Sequence, residues 1–219
     1  MSPRTPIDVV YVTSSRFKRA ENEVYRETFV LPDGTPVKDV FRFDIREVAI
    51  KEVLEVDLEL MVTAEVAKAY GQLKVPCIVE HAGLVFEEYV GRSYPGGLTK
   101  PMWDTLRENF VTETGSSGRR AIARAVVAYC DGKSVYTFIG ETPGTIAKEP
   151  RGSREFYWDT VFIPDTDVPA ARGRTYAEIV DDEALGLRHK MQLSQSAKAM
   201  SAFLEYRKFN WPELWDITY

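Results

Sequence analysis

Residues 121–130 and 134–139 constrain the fold of this chain more than any other part of its sequence. Both segments are apolar and rich in valine, isoleucine and aromatic residues, and only Asp131-Gly132-Lys133 separates them. Two strand-like segments joined by a short turn that contains glycine are typical of a β-hairpin. We therefore predict that the two segments pair as antiparallel strands.

The remaining chain divides into further strands and helices. Apolar and β-branched runs predict strands at residues 7–12, 41–50 and 75–79. Charged segments with interspersed apolar residues predict helices at 16–29, 60–73, 103–110 and 194–208. Residues 31–37 have the prolines and the Asp33-Gly34 pair of a turn, so this turn and the strand 41–50 are predicted to form a surface hairpin.

Composition limits the classes of function. The chain has 219 residues, of which 44% are hydrophobic, and no linker divides it, so we predict one domain over residues 1–219. A net charge of −5 argues against duplex nucleic acid as a partner, since that binding depends on clustered lysine and arginine. No apolar run approaches the roughly 18 residues of a membrane span, and residues 1–6 lack the apolar core of a signal peptide. These features predict a cytoplasmic protein with no membrane partner.

The two cysteines, Cys77 and Cys130, lie in apolar strand-like runs, and neither has a histidine at the spacing of a metal site. Disulfides are rare in cytosolic proteins. We therefore expect two buried free thiols rather than a disulfide or a zinc site.

A polar loop between the first strand and the first helix is a candidate phosphate site. Thr13, Ser14 and Ser15 follow the strand, and Lys18 lies one turn into the helix. Hydroxyl groups, free backbone N–H groups and an ammonium at a helix start are suited to phosphate oxygens. A helix N-cap explains Ser14 or Ser15 equally well, so the loop alone leaves both interpretations open.

Glu80 and His81 follow the short apolar run at 75–79 and precede Gly83. We expect them at the carboxyl end of a buried strand, where open α/β sheets place their chemistry. His81 is a candidate general base, although a lone histidine is more often a hydrogen-bonded structural residue. Glu80 is a candidate metal ligand, whereas most of the acidic residues between 52 and 59 are expected to face solvent.

Aromatic and acidic residues alternate in the stretch 140–165, which also contains two glycines and the turn Pro150-Arg151-Gly152. If this stretch is extended, Phe156 and Trp158 point the same way, beside Asp159, and could stack a nucleobase and bind its edge. The alternative is a buried aromatic strand pair, and composition alone favours it.

Several motifs together resemble those of the inosine triphosphate pyrophosphatases, which act on non-standard purine nucleoside triphosphates. Residues 13–18 resemble the opening T-x-N-x-x-K, and residues 80–84 resemble the strand-end E-D-S-G-L. The specific block F-G-W-D-P-x-F-x-P is matched by Phe156, Trp158, Asp159, Phe162 and Pro164. Further matches cover nearly the whole chain: Glu52, Pro95-Gly96, Gly140-x-Thr142-x-Gly144-x-Ile146, Pro150-Arg151-Gly152, Thr175-x-Ala177-Glu178, and Lys190 with Ser194.

This resemblance implies an α/β fold with a long twisted mixed β-sheet flanked by helices, and two lobes with a nucleotide cleft between them. It implies cleavage of a nucleoside triphosphate to a monophosphate and pyrophosphate, with Mg²⁺ as cofactor, by a homodimer. The implied roles are catalysis by His81 and Glu80 and metal binding by Glu52 and Glu80. Phosphate binding falls to Thr13, Ser14, Ser15 and Lys18, and base binding to Phe156, Trp158, Asp159, Lys190, Gln195 and Ser196.

The departures from the family pattern leave the reaction open. The catalytic aspartate of the family is His81 here, the asparagine of the phosphate loop is Ser15, and the His-Arg pair that binds the purine is Gln195-Ser196. A neutral imidazole accepts a proton but is a poor Mg²⁺ ligand. A nucleotide-binding protein without catalysis, and a hydrolase of another nucleotide or nucleoside bond, therefore stand as alternatives. Preference for a 6-oxo purine does not follow from the resemblance.

Overall fold

A six-stranded mixed β-sheet forms the centre of the molecule. The computed structural model describes residues 6–210, apart from the side chains of Arg154 and Phe156. The strand order is β2-β1-β3-β4-β5-β6. The strands are β1 (Ile7–Val12), β2 (Phe41–Arg46), β3 (Cys77–Phe86), β4 (Arg120–Cys130), β5 (Val135–Ile146) and β6 (Phe162–Pro164).

Helices cover the faces of this sheet. The α-helices are α1 (Arg16–Thr28), α2 (Val37–Val40), α3 (Leu58–Leu73), α4 (Thr99–Leu106), α5 (Phe110–Glu113), α6 (Tyr176–Asp181), α7 (Gly186–Leu193) and α8 (Gln195–Phe209). Shorter 3₁₀ turns occupy Glu87–Arg92, Gly96–Leu98, Arg107–Asn109 and Arg154–Thr160. Within residues 6–210, no helix combines the length and the apolar character that crossing a bilayer requires.

The predicted hairpin is confirmed. Strands β4 and β5 pair in antiparallel register from Cys130↔Val135 to Arg120↔Thr145, and β5 continues beyond the predicted end at residue 139 to Ile146. Cys77 lies directly opposite Cys130 in the register of β3 and β4, and both are buried free thiols, as expected.

The predicted surface hairpin at residues 31–50 is wrong. Strand β2 pairs in parallel with β1, in the register Ile7↔Phe41 to Val12↔Arg46, and it ends at Arg46 rather than at residue 50. Parallel neighbours need a crossover between them, and α1 supplies it. The alternation in residues 41–46 therefore belongs to an edge strand of the main sheet.

Glu80 and His81 do not lie at the end of a strand, as predicted, but inside β3. All ten residues of β3 pair with β4, whereas β1 pairs only with Cys77 and Ile78. Because β1 ends at Val12, β3 continues without its parallel neighbour from Val79 onward. Glu80 and His81 therefore lie just beyond the carboxyl end of β1, and the space beside them is open to a ligand.

The stretch around Trp158 is not extended. Residues Arg154–Thr160 form a 3₁₀ turn, so the predicted alternation of Phe156 and Trp158 on one face is wrong. Trp158 is buried and meets Phe162 edge to face, with ring centroids 6.2 Å apart. It belongs to the core, although not as part of a strand pair; the side chain of Phe156 lies outside the described residues.

The apolar residues form two lobes along the long strands. At one end, two clusters cover opposite faces of the sheet, one under α1 and α8 around Tyr11 and Phe203, the other under α3 around Val66. At the other end, a third cluster gathers around Phe86 and Phe162. Glu80 and His81 lie on β3 between the two ends, as expected for a cleft between two lobes. One domain over 1–219 stays a prediction.

Candidate functional site

A cavity of about 810 Å³ opens beside β3, where β1 ends. Its walls come from the loop after β1, from α1, α3 and β3, and from the 3₁₀ turn Arg154–Thr160. Twelve of the predicted site residues line it: Thr13, Ser14, Ser15, Lys18, Glu52, Glu80, His81, Trp158, Asp159, Lys190, Gln195 and Ser196. The structure thus brings the predicted phosphate, metal and base residues to one place.

The start of α1 forms one wall of the cavity. Ser15 is its N-cap, and its hydroxyl accepts a hydrogen bond from the Lys18 backbone N–H at 3.4 Å. Thr13 Oγ1 accepts from the Ser15 N–H at 3.1 Å. The first N–H groups of a helix have no partner within the helix, and here Ser15 caps that of Lys18. The hydroxyls of this loop together with the Lys18 ammonium form a polar wall suited to an anion. Lys18 Nζ donates to the Glu80 carbonyl, which holds the ammonium against β3.

Glu80 is a buried carboxylate with one free oxygen. Its Oε2 accepts a hydrogen bond from the Tyr11 hydroxyl at 2.6 Å, while Oε1 has no hydrogen-bond partner among the described residues. Burial alone would raise the pKa of Glu80, but the Lys18 ammonium and the Tyr11 hydrogen bond hold that pKa below its usual value. Glu80 therefore stays charged, with a lone pair available for a cation or a donor.

His81 faces the opposite side of β3 and contacts α3. Its Nε2 lies 2.5 Å from Glu65 Oε2, and the Glu65 side chain is buried. Burial raises the pKa of Glu65, but the hydrogen bond with His81 more than offsets this effect and the pKa lies below its usual value. Glu65 was not among the predicted site residues. The available signal was its spacing from Met61, Val62 and Ala69 on the apolar face of α3.

Lys190 lies between two carboxylates at the other end of the cavity. Its ammonium is 2.8 Å from Asp159 Oδ2 and also bonds Glu21. Burial would lower the pKa of Lys190, but the two carboxylates raise it, so Lys190 remains an ammonium. Burial and the nearby Asp159 raise the pKa of Glu21, and the lowering effect of Lys190 offsets this increase only in part. Glu21, one turn after Lys18 on α1, was not among the predicted site residues.

Tyr157 was also missed. It has a φ of 51°, is 37% exposed and lines the cavity. Its ring meets Phe17 edge to face at 5.7 Å between centroids, and beside this contact Arg16 pairs with Glu155 at 2.9 Å. A left-handed conformation is rare for a bulky residue and costs free energy. Tyr157 therefore offers exposed aromatic surface in this wall, whereas Trp158 lies mostly in the core.

Gln195 and Ser196 begin α8 and are both buried. Gln195 Oε1 accepts a hydrogen bond from the Tyr176 hydroxyl at 3.2 Å, which fixes the amide. A Cβ on Gly140 would overlap the backbone of Gln195 and Ala199, so only glycine lets this end of α8 approach β5 so closely. Two further cationic residues missed in the sequence, Lys100 and Arg107, line the cavity from the opposite lobe.

A magnesium site at Glu52 and Glu80 is compatible with these residues. The free oxygen of Glu80 is suited to a hard cation, and Glu52 lines the same cavity. Within residues 6–210, no three acidic, histidine or cysteine side chains are grouped closely enough to hold a metal by themselves. Mg²⁺ is commonly bound by one or two carboxylates together with substrate phosphates and water. Two carboxylates therefore fit an ion that binds with a nucleotide.

Comparison with known proteins identifies the family. The sequence profile of the Ham1 family matches residues 9–206. The chain belongs to the Ham1 family. An inosine triphosphate pyrophosphatase of Trypanosoma cruzi is 32% identical over 197 residues, which are 89% of each chain. A dITP/XTP pyrophosphatase of Methanopyrus kandleri is 35% identical over 147 residues, 66% of this chain and 70% of the relative.

Solved structures of Ham1 proteins share the fold. A HAM1 protein from Coxiella burnetii superposes with a TM-score of 0.59 and 19% identity, over 91% of this chain and 99% of that one. The Staphylococcus aureus Ham1 protein gives a TM-score of 0.58 at 18% identity, over 91% and 98% of the two chains. The predicted α/β fold with a mixed sheet flanked by helices is confirmed. Membership of the Ham1 family also confirms the resemblance drawn from the motifs.

Proposed function

We propose that this protein is a pyrophosphatase that hydrolyses a non-standard purine nucleoside triphosphate to the monophosphate and pyrophosphate. One observation supports the proposal: a single cavity joins a polar helix start that carries Lys18, a Glu80 carboxylate oxygen without a hydrogen-bond partner, and a polar pocket with an aromatic wall. The pyrophosphatase names of the relatives in Trypanosoma cruzi and Methanopyrus kandleri support the same reaction.

The phosphate chain would lie along α1. The hydroxyls of Thr13, Ser14 and Ser15 and the Lys18 ammonium would bind its oxygens. Lys18 uses one of its three hydrogen-bond donors on the Glu80 carbonyl, which leaves two for phosphate. Lys100 and Arg107 would offset further charge from the opposite wall.

The base would lie between Tyr157 and the polar end of the cavity. The exposed ring of Tyr157 offers a stacking surface, with Trp158 behind it in the core. Asp159, Lys190, Gln195 and Ser196 would bind the edge of the base. Phe156 keeps the base-binding role that the family resemblance implies, as a prediction only.

Hydrolysis requires a general base and a way to offset charge. A water oxygen would attack the α-phosphorus as His81 takes its proton, and the electron pair of the bond to the bridging oxygen would leave with pyrophosphate. Glu52 and Glu80 would hold Mg²⁺, which when bound offsets the charge that develops on the phosphate oxygens. Glu80 stays ionised beside Lys18, so it is ready to act as a ligand near neutral pH.

Product analysis tests this reaction. The purified protein is incubated with Mg²⁺ and a panel of standard and modified nucleoside triphosphates in water enriched in heavy oxygen. We expect monophosphate that carries the label, together with unlabelled pyrophosphate. Stepwise release of phosphate, free base or free triphosphate would refute the proposal in favour of another hydrolase. Nucleotide binding without any turnover would point to a binding protein instead.

Assembly and location remain predictions. We propose a homodimer that buries aromatic surface in the stretch from Tyr89 to Trp103. Tyr89 and Val90 are 39% and 40% exposed, whereas Trp103 is buried in the core. Light scattering at micromolar concentration should give twice the chain mass of 24.9 kDa. A monomer mass would contradict it. A cytoplasmic location without duplex nucleic acid as partner is expected on the grounds of composition.

A further inference from the structure

The contact between His81 and Glu65 joins two secondary-structure elements at the cavity wall. His81 belongs to β3 and Glu65 to α3, and His81 Nε2 and Glu65 Oε2 lie 2.5 Å apart. The side chain of Glu65 is 4% exposed and that of His81 19%, so the imidazole lies nearer the solvent-filled space. Burying a charged carboxylate without a partner costs free energy, and His81 is the partner of Glu65.

The second oxygen of Glu65 is also engaged. Oε1 accepts a hydrogen bond from the Val53 backbone N–H at 3.2 Å. The carboxylate is therefore held at both oxygens and cannot turn away from His81. Because an ionised carboxylate only accepts hydrogen bonds, His81 must donate through Nε2. In the neutral ring this leaves Nδ1 as the nitrogen with a free lone pair, and no described residue hydrogen-bonds it.

We propose that Glu65 is a positioning residue, which holds His81 in the tautomer whose Nδ1 accepts the proton of the attacking water. This inference deepens the proposed function and rests on it. The proton passes from water to Nδ1 as the water oxygen bonds phosphorus, and the resulting imidazolium lies beside the Glu65 carboxylate. That negative charge stabilises the imidazolium, as an orienting carboxylate does in other histidine-based sites.

The pair also explains how a histidine can stand where the family pattern has aspartate. An aspartate at position 81 would bring a second negative charge towards buried Glu65, which is unfavourable for both. His81→Asp alone is therefore expected to lose activity. The double variant His81→Asp/Glu65→Gln removes the repulsion and should be more active than His81→Asp alone.

Glu65→Gln is the most informative single change. The Val53 N–H still requires an acceptor, so the amide oxygen takes the place of Oε1 and the NH₂ group faces His81. His81 must then accept through Nε2, which moves the ring proton to Nδ1 and removes the base. We expect kcat to fall about 10²- to 10⁴-fold while KM changes little. Glu59→Gln on the exposed side of α3 is the matched control and should leave kcat unchanged.

A double variant separates positioning from an independent contribution. If Glu65 acts only through His81, the variant Glu65→Gln/His81→Asn should be no slower than His81→Asn alone. Losses that multiply, or a Glu65→Gln enzyme within about threefold of wild type, would overturn the proposal.

Nuclear magnetic resonance tests the tautomer without any turnover. The chain has two histidines, so His81→Asn identifies the signal of His81, and His189 serves as the internal reference. We expect the proton on Nε2 in wild type and on Nδ1 in Glu65→Gln. A wild-type ring with its proton on Nδ1 would overturn the inference even if the protein is active. The expected tautomer in an enzyme that releases no pyrophosphate would instead refute the proposed function.

Discussion

Phe17 and Tyr157 meet edge to face across the mouth of the cavity, with ring centroids 5.7 Å apart. Phe17 belongs to the first turn of α1, and Tyr157 to the 3₁₀ turn that carries Trp158 and Asp159. The helix proposed to bind phosphate and the turn proposed to bind the base are thus in direct contact. Because Tyr157 holds a φ of 51°, the turn keeps this aromatic contact at the cost of backbone strain.

Replacing Tyr157 with glycine separates binding from stability. The change removes the strain of the left-handed conformation, which stabilises the protein. It also loses the contact with Phe17 and adds the flexibility of glycine, which destabilise it, so the free energy of unfolding should change by less than about 1 kcal/mol. Nucleotide affinity should fall by about 1 to 3 kcal/mol, since the stacking surface is gone. Thermal denaturation and calorimetry measure the two effects. Tyr157→Phe keeps the ring and should retain affinity; an unchanged affinity in Tyr157→Gly would exclude a role in stacking.

Lys18→Ala should weaken the binding of triphosphates far more than that of nucleosides. The ammonium bonds the Glu80 carbonyl, and we propose that it bonds phosphate but not the base. A charge-assisted hydrogen bond contributes about 1.5 to 3 kcal/mol. Calorimetry with a non-hydrolysable triphosphate and its nucleoside measures the difference. Lys38→Ala, on the distant helix α2, is the control for loss of a charge. Equal losses for both ligands would rule out phosphate binding by Lys18.

Ser196→Arg should change the preference among bases. Arginine offers a rigid fork of donors where serine has one hydroxyl, so kcat/KM for a 6-oxo purine should rise at least about tenfold relative to a 6-amino purine. Gln192→Arg, an exposed change on α7, adds the same charge away from the cavity. If both variants shift the ratio alike, the base does not lie against Ser196.

Neither thiol should react in the native protein. Burial raises the pKa of Cys77 to about 12 and also raises the pKa of Cys130. At about pH 8 only roughly one Cys77 in ten thousand would be a thiolate. Titration with a chromogenic thiol reagent should therefore detect no thiol in native protein and two per chain in guanidinium. Rapid labelling of native protein would show that the strands β3 and β4 open.

Trp158 shows why residue type alone could not assign the base-binding surface. It matches the family motif and lines the cavity, but its ring is packed against Phe162 in the core. Truncation to alanine would destabilise the fold by about 3 to 5 kcal/mol and so obscure any effect on binding. Tyr157, in the same turn, has an exposed ring and was not among the predicted residues.

The sequence by itself determined the elements that depend on local patterns. Hydrophobic periodicity and turn residues predicted the β4–β5 hairpin, β1, α1 and α3. The spaced motifs identified the family and twelve of the residues that line the cavity. These features depend on neighbours within a few residues, or on motif order along the chain, and both can be read without knowing how the chain folds back on itself.

Only the tertiary structure decided how these residues meet. Whether β2 pairs with β1 or forms a hairpin depends on the crossover through α1, and the position of Glu80 within β3 depends on where β1 ends. Glu65 reaches His81 across 16 positions of sequence, from helix to strand. Contacts between residues distant in the chain depend on the packing of whole elements, which local propensity does not encode. The partner of His81, the candidate general base, could therefore be found only in the folded protein.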